Sequence, residues 1–288
     1  MSDYEKRGYL RQDFRMFHLS DSPKKEYDYH YHDFNKIFIL IKGDVTYYIE
    51  GKTYVLKPYD IVLVKAGDVH RPIVDTGSDY ERIIIYISAE FLRTYKQQNY
   101  DLGHCFSDSV SNKSDVLRIP SMKTSKLYQV CRELELSFQD SDFACELYRN
   151  LLFLEFMVHL NRAVLHDSLT FMNTVSANEK ILSVFEYLNN HLTEDFSIDR
   201  LAGQFFISKY YLMHSFKEET GYTIGGYLTM KRLLYARELI ADGMPITQAC
   251  LECGFKDYST FSRSYKKTFG MSPTRQKHLA GLELPSQD

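Results

Sequence analysis

Three histidines in the first third of the chain have the spacing of side chains that share one site. His30 and His32 stand two apart in YHYHDFNK, and His70 follows Gly67 and Asp68 in AGDVHRP. Residues two apart in a strand point to the same face, so we expect the first two imidazoles to lie side by side. Imidazoles grouped in this way can hold a metal ion or contact a small ligand.

A basic stretch near the C-terminus has a different chemical character. Residues 256–277 contain six Lys or Arg side chains and one acid. The pattern predicts a short helix that places Phe261 and Tyr265 on one apolar face. The opposite face would carry hydroxyl and basic groups, which suits a helix that enters the DNA major groove. Taken alone, the pattern fits an ordinary solvated helix equally well.

Length and composition limit the classes of protein that the chain can represent. Its 288 residues suggest about two domains, and its apolar fraction of 44% is enough for sizeable cores. No apolar run approaches the roughly 20 residues that span a bilayer, so no membrane is expected as a partner. Five cysteines, an odd number, indicate free thiols and a cytoplasmic location. The net charge of −3 leaves DNA binding open, because affinity depends on local phosphate contacts.

The first hundred residues predict an all-β fold, because short apolar runs alternate with Gly, Pro and Asp turns. The predicted strands are Lys36–Ile41, Val45–Glu50, Thr53–Leu56, Ile61–Lys65 and Arg82–Ser88. Such strands form a sandwich or a small barrel. The polar stretch 97–122 predicts a long loop or crossover.

Two amphipathic helices are predicted next, over Ser125–Phe138 and Asp142–His166, with Asp142 as the cap of the second. The second helix is apolar over more than one stripe. One stripe would cover the barrel and another would contact a second subunit, although packing within one chain remains open.

The C-terminal part contains an internal repeat. Ser197 and Ser208 would cap the helices Ile198–Gln204 and Lys209–Thr220, which is helix-turn-helix spacing. A long helix to Ala241, a short helix Ile246–Cys253 and the basic stretch repeat the pattern. With an offset of 49, LMHSFKEETGYT lies over FSRSYKKTFGMS. A repeat supports the DNA-binding interpretation of both copies.

At this point the sequence closely resembles the AraC/XylS family of bacterial transcription regulators. The resemblance covers the whole C-terminal part. It rests on Leu201-Ala202, Ser208, Tyr211-Leu212, Phe216-Lys217, Thr220-Gly221, Tyr227, Arg232, Ala236, Ile246, Ala249, Gly254-Phe255, Phe261, Arg263, Lys266, Gly270 and Ser272-Pro273. Gln276-Lys277 departs from the usual Tyr-Arg. The expected class is α+β in two domains: a cupin-like barrel with two dimerisation-type helices over 1–166, a linker over 167–178, and an all-α tandem helix-turn-helix domain over 179–280.

The resemblance implies residue roles on two recognition helices. The first would present Tyr210, Met213 and His214 to bases, and the second Ser259, Ser262 and Arg263. The residues expected to contact phosphates are Lys209, Lys217, Lys256, Lys266 and Lys267. The alternative for each base contact is an exposed side chain that touches only phosphate or water. Cys250 and Cys253 lack a second Cys pair, so they are expected to be apolar side chains and not a zinc site.

The N-terminal stretch resembles a cupin barrel through its His-x-His motif and later Gly-Asp-x-His. In metal-binding cupins an acid stands near the position that Lys36 occupies here, and an ammonium opposes a cation. We therefore expect no metal and no cofactor. The side chains assigned to a small-molecule pocket are His30, His32, Lys36, Tyr48, His70 and Tyr86. The alternatives are ordinary barrel-rim residues and a dimerisation scaffold without an effector.

The resulting hypothesis is a transcription activator that binds double-stranded DNA as a homodimer. A small-molecule effector, with a sugar as the leading candidate, would occupy the barrel and shift the arrangement of the DNA-binding domains. RNA polymerase is a further expected partner. The alternative is a metal-dependent cupin enzyme fused to a DNA-binding domain.

Overall fold

The chain folds into two compact units that divide near residue 176. The computed structural model describes residues 10, 12–21, 27–75, 77, 79–111, 114–166, 169–175, 178–195 and 197–282. Among these residues, no helix combines the length and apolarity needed to cross a membrane.

The N-terminal unit is rich in strands. The strands are β1 (Phe14–Asp21), β2 (Asn35–Lys42), β3 (Val45–Ile49), β4 (Lys52–Leu56), β5 (Ile61–Val64), β6 (His70–Val74), β7 (Tyr80–Ile87), β8 (Lys96–Gln97), β9 (Tyr100–Asp101), β10 (Val116–Arg118) and β11 (Thr170–Phe171). The helices are α1 (Ala89–Thr94), α2 (His104–Ser111), α3 (Lys126–Ser137) and α4 (Cys145–Leu165). The five predicted strands and both amphipathic helices are confirmed.

The strands form two main antiparallel sheets and a small hairpin. The larger sheet has the order β1-β7-β2-β5-β10-β11, and the smaller has the order β4-β3-β6. Ile37, Ile39 and Leu63 of the larger sheet pack in one core with α3 and α4, whereas Phe38, Leu40 and Val62 pack in the other with the smaller sheet. The central strands are therefore buried on both faces, which explains the continuous apolar run from Ile37 to Leu40 in β2.

Three predictions for this unit were wrong in detail. Residues 97–122 contain the β8–β9 hairpin, α2 and β10 and not a long loop. Cys105 and Phe106 of α2 are buried, and Asn161 of α4 accepts a hydrogen bond from the Cys105 N–H at 2.7 Å. Asp142 does not cap α4, because Ala144 precedes the helix in a left-handed conformation. Strand β11 forms within the segment predicted as linker and pairs with β10.

The C-terminal unit is all-helical among its described residues. Its helices are α5 (Glu179–Asn190), α6 (Ile198–Gln204), α7 (Lys209–Thr220), α8 (Ile224–Ala241), α9 (Ile246–Glu252), α10 (Tyr258–Phe269) and α11 (Pro273–Leu282). Ser197 and Ser208 cap α6 and α7 through their hydroxyls, as predicted. Asp257 caps α10 and accepts from the N–H groups of Ser259 and Thr260, both at 2.9 Å.

The two helix-turn-helix units differ by one residue in the turn. Helices α7 and α10 align with an offset of 49, as predicted, but α6 and α9 align with an offset of 48. In each turn one residue adopts a left-handed conformation: Gly254 in the second unit (φ 78°) and Phe206 in the first (φ 53°). Glycine takes this conformation at no steric cost, whereas a phenylalanine is strained there.

Replacing Phe206 by glycine should stabilise the C-terminal unit. The Phe206 side chain is 91% exposed, so little packing is lost, and removal of the left-handed strain should be worth about 1 kcal/mol. We expect the unfolding transition of this unit to rise by ~4 °C in calorimetry. The matched control is Phe205→Gly, at φ −97° and packed on Tyr187, which should lower the transition. A fall in the F206G variant would contradict the strain argument.

Candidate functional site

Helices α7 and α10 each have one face that anchors them and one that faces solvent. Leu212 and Phe216 of α7 are buried, as are Phe261 and Tyr265 of α10. The side chains on the other faces include most of the residues predicted to read bases. Each helix therefore meets the geometric requirement for a recognition helix, which must be held from behind and exposed in front.

The predicted base-reading residues are exposed with one exception. Tyr210 is 78% exposed and Met213 is 49% exposed, and the ring of Tyr210 stacks on that of His214 with centroids 5.8 Å apart. On α10, Arg263 is exposed and its Nε–H donates to the Ser259 carbonyl at 3.2 Å. Ser262 is half-buried beside the apolar face, because it lies next to Phe261 along the helix.

The lysines predicted to contact phosphates are all exposed. They flank the recognition helices: Lys217 lies in the last turn of α7, and Lys266 and Lys267 lie in the last turn of α10. Two others form exposed ion pairs, between Lys209 and Asp199 at 3.0 Å and between Lys256 and Asp195 at 2.7 Å. Exposed pairs of this kind contribute little stability, so phosphates can compete for both lysines.

Arg232 of α8 connects the two halves of the helical unit. Its guanidinium donates to the carbonyls of Leu192 at 2.7 Å, Glu194 at 2.7 Å and Gly254 at 3.0 Å. The first two follow α5, and the third lies in the turn before α10. A planar group with several donors suits this bridging role. Sequence reasoning placed Arg232 in the family pattern but gave it no role.

The second candidate site is the histidine cluster of the N-terminal unit. His30, His32 and His70 are all buried, with at most 6% of their surface exposed. Their ring centroids are 4.4 to 5.1 Å apart. The prediction that they lie close together is confirmed. They do not stand on an open rim, so the rim interpretation is wrong.

Lys36 and Tyr47 complete this cluster. The Lys36 ammonium donates to the Tyr47 hydroxyl at 3.0 Å and lies 3.3 Å from Nε2 of His70. Lys36 and Phe38 are two residues apart in β2, so their side chains point to the same face of the strand. Lys36 therefore faces the core between the two sheets.

The assignment of Tyr48 to the pocket was wrong, because Tyr48 lies on the opposite face of β3 from Tyr47. It packs under the Arg71 guanidinium, 5.1 Å from its ring centroid. Strand parity allowed only one of the two tyrosines inside, and the sequence did not say which. Tyr86 lies beside the cluster, with its ring 5.5 Å from that of His32, and its role in a ligand pocket stays a prediction.

Burial sets the protonation of this cluster. Burial, and then the charge of Arg82, lowers the pKa of Lys36 to about 7. Burial, and then the charge of Lys36, holds the pKa of His70 well below its ordinary value. Burial also holds the pKa of Tyr47 well above its usual range. The cluster is therefore a group of neutral or weakly charged polar side chains inside an apolar core.

Cys250 and Cys253 are buried, as predicted for apolar side chains. Burial raises the pKa of the Cys253 thiol to about 12, so it is not a reactive thiolate.

Comparison with known proteins identifies the two units. An AraC-like ligand binding domain model matches residues 16–157, and a helix-turn-helix domain model matches residues 201–277. Together these models cover about three quarters of the chain. The HTH-type transcriptional activator RhaS of Shigella sonnei is 24% identical over 252 residues, which are 87% of each chain. The chain belongs to the AraC/XylS family of transcription regulators.

Further proteins are similar to this AraC-family regulator. RhaS of Escherichia coli has the same identity and coverage. The solved structure of ToxT from Vibrio cholerae is 16% identical, with a TM-score of 0.38, over 93% of this chain and 99% of that one. A probable AraC family regulator from Rhodopseudomonas palustris is 27% identical, with a TM-score of 0.34, over 36% of this chain and 98% of that one. The two family models and RhaS confirm the family resemblance, and the strand-rich and helical units confirm the α+β class predicted from the sequence.

Proposed function

We propose that this regulator is an activator that reads DNA with α7 and α10 and responds to a small molecule bound in its N-terminal unit. The observation that carries the proposal is the pair of capped helices, each anchored by buried aromatic or aliphatic side chains and exposed on a polar face. The relatives that match 87% of the chain are named as transcriptional activators, which supports activation in preference to repression.

The two helices would enter successive major grooves on one side of the DNA. Arg263 has the best chemistry for a base contact, because a guanidinium can address guanine O6 and N7 together. Its counterpart in the first helix is His214, at the offset of 49. Since the two helices present different side chains, we expect an asymmetric half-site.

The effector would bind at the histidine cluster. His30, His32, Lys36, Tyr47 and His70 offer donors and acceptors inside an apolar shell, a composition that suits a hydroxyl-rich ligand such as a sugar. A thermal-shift screen of sugars, organic acids and amino acids tests this proposal. A bound effector should raise the melting temperature by mass action, whereas no response from any compound would favour a scaffold without an effector.

The regulator is proposed to act as a homodimer through an exposed apolar stripe at the start of α4. The stripe consists of Phe143, Leu147 and Leu151, which are 96%, 60% and 54% exposed. Leu147 and Leu151, four residues apart, lie on one side of α4, and Phe143 lies just before the helix. The other apolar side of α4, including Phe153 and Phe156, is buried against the larger sheet.

Introducing charge into this stripe should separate the dimer. We expect the double variant Leu147→Glu, Leu151→Glu to be monomeric by light scattering after size exclusion, because two carboxylates would be desolvated in the interface. Val55→Glu is a matched control, since Val55 of β4 is also 54% exposed but lies outside the stripe. A dimer that survives in the double variant would place the interface elsewhere.

The remaining partners follow from the same proposal. As an activator, the protein would contact RNA polymerase at the promoter, and it would work in the cytoplasm, where that DNA is. We propose no enzymatic activity, because the relatives that cover most of the chain are named as regulators of transcription.

A further inference from the structure

We infer that Phe206, in the turn before α7, is a further DNA contact and that its ring packs on the C5-methyl group of a thymine. Phe206 lies outside both recognition helices and has no part in the base contacts assigned above. The inference rests on the proposed function, because it adds a specificity-determining residue to the DNA interface of α7. It also names the chemistry that this residue recognises, an apolar group in the major groove.

The backbone of Phe206 is held in a conformation that costs free energy. Its φ of 53° is left-handed, which is an outlier for a bulky side chain. The Phe206 N–H donates to the Gly203 carbonyl at 3.2 Å. The next N–H, that of Ile207, donates to the Ala202 carbonyl at 3.0 Å. These bonds keep the turn in its strained form, and strain of this kind is concentrated at binding sites.

The side chain of Phe206 gains little packing within the protein to offset this strain. Its ring is 91% exposed, whereas its neighbours in the turn point inward. Phe205 packs on Tyr187 with ring centroids 5.8 Å apart, and Ile207 is half-buried. The second unit has Gly254 at the equivalent position, where the left-handed conformation costs nothing. We therefore expect the ring of Phe206 to gain its packing from a bound partner.

The position of Phe206 indicates that this partner is DNA. Phe206 lies two residues before Ser208, the N-cap of α7, and the N-terminal part of a recognition helix is the part that contacts base edges. Tyr210 and Met213 are also exposed, so large exposed side chains continue from the turn onto the predicted base-reading face of α7. Lys209, at the start of the same helix, would bind a phosphate of the same DNA segment.

The phenyl ring restricts what Phe206 can recognise in the groove. It offers base edges no hydrogen-bond donor or acceptor, so it can make only apolar contacts. The C5-methyl group of thymine is the apolar group that the major groove presents for such a contact. We therefore expect the segment under α7 to contain a thymine whose methyl group contributes to affinity, in contrast to the polar contact assigned to Arg263.

The experiment uses the full-length chain and a DNA duplex that it selects from a random-sequence pool. The segment read by α7 is the one whose base preference Arg263→Ala leaves unchanged. Each thymine of that segment is replaced in turn by deoxyuridine, which lacks only the methyl group, and affinity is measured by fluorescence anisotropy. In the wild type we expect one thymine position at which this replacement weakens binding by about fourfold, the effect of one buried methyl group.

Two variants separate the ring of Phe206 from its backbone. Phe206→Ala removes the ring and keeps the left-handed strain, whereas Phe206→Gly removes both and should raise thermal stability. We expect both variants to bind the duplex about tenfold more weakly than the wild type. Their salt dependence should be unchanged, because an apolar contact releases no counterions. Weaker binding by the more stable F206G variant could not be caused by unfolding.

The combination of a variant with deoxyuridine tests the contact itself. In both Phe206 variants, deoxyuridine at the sensitive position should cost no further affinity, because the methyl group has already lost its partner. Leu251→Ala is the matched control. Leu251 of α9 is 68% exposed but lies in the support helix of the second unit, so its removal should change neither the affinity nor the deoxyuridine response.

Wild-type DNA affinity in both Phe206 variants would overturn the inference, and if these variants also lost transcriptional activation, Phe206 would contact a protein partner instead. The absence of a sensitive thymine, or an equal deoxyuridine effect in F206A and the wild type, would show that the ring does not contact a methyl group. An equal loss of affinity in Leu251→Ala would assign the effect to exposed apolar surface in general. A wild-type chain that selects no duplex would overturn the proposed function as well.

Discussion

Replacing Arg263 by alanine should weaken specific DNA binding by about 1–3 kcal/mol and relax the preference at one base position. The guanidinium is exposed on α10, and only its Nε–H donates to the Ser259 carbonyl. The two terminal amino groups can therefore still address one guanine. Loss of this contact removes sequence information and leaves the remaining phosphate contacts in place. Affinity measured on a set of single-base operator variants would show the relaxed position.

Lys266→Ala is the matched comparison. Lys266 is also exposed on α10, in its last turn, and is predicted to contact a phosphate. Its removal should weaken the binding of specific and non-specific DNA about equally. The slope of log affinity against log salt concentration should fall by about one, because one fewer counterion is released. If Arg263→Ala behaved in the same way as Lys266→Ala, the assignment of Arg263 to a base would be wrong.

Replacing Gly254 by alanine should strongly destabilise the helical unit. Gly254 has φ 78°, and a Cβ added there would lie 2.5 Å from the carbonyl oxygen of Thr193. That oxygen belongs to the main chain and cannot move without shifting the loop that Arg232 holds. We expect the free energy of unfolding to fall by about 3 kcal/mol or more, because backbone strain and overpacking act together. Calorimetry and urea unfolding of the full chain would measure it.

Gly270→Ala separates the two causes. Gly270 has nearly the same φ, 74°, but no heavy atom outside its own surroundings lies within 4 Å of a Cβ built there. In this control the free energy of unfolding should fall by only about 1 kcal/mol, the cost of the left-handed backbone conformation to an alanine. Equal losses in the two variants would show that the contact with Thr193 is unimportant.

The helical unit could be predicted closely because its signals are local. Ser197, Ser208 and Gly270 stand at helix ends, where their own chemistry fixes the boundary. The extra residue in the second turn was missed. The insertion is recognised only from the backbone hydrogen bonds and conformations. These show that Phe206 in the first turn and Gly254 in the second occupy equivalent positions.

The N-terminal unit was predicted less completely because its pairings are non-local. Strand β1 is positioned by pairing with β7, about 60 residues later in the chain, and β6 is positioned by pairing with β3. Neighbouring residues in a strand point to opposite faces, so the sequence predicted that either Tyr47 or Tyr48 faces the interior. The choice of Tyr47 follows from its contacts with Lys36 and His70, which are distant in the sequence. The position of Lys36 beside His70 likewise follows from the larger sheet meeting the smaller one, which no local pattern encodes.

The most direct test of the account is a footprint of the protein on genomic fragments that it selects. We expect each chain to protect two short segments about one helical turn apart on one face of the DNA, with different sequences in the two segments. Arg263→Ala should relax the preference at one base position, and that position should lie in one segment only. A single protected segment, two identical segments or binding without sequence preference would contradict the claim that α7 and α10 are two separate reading helices.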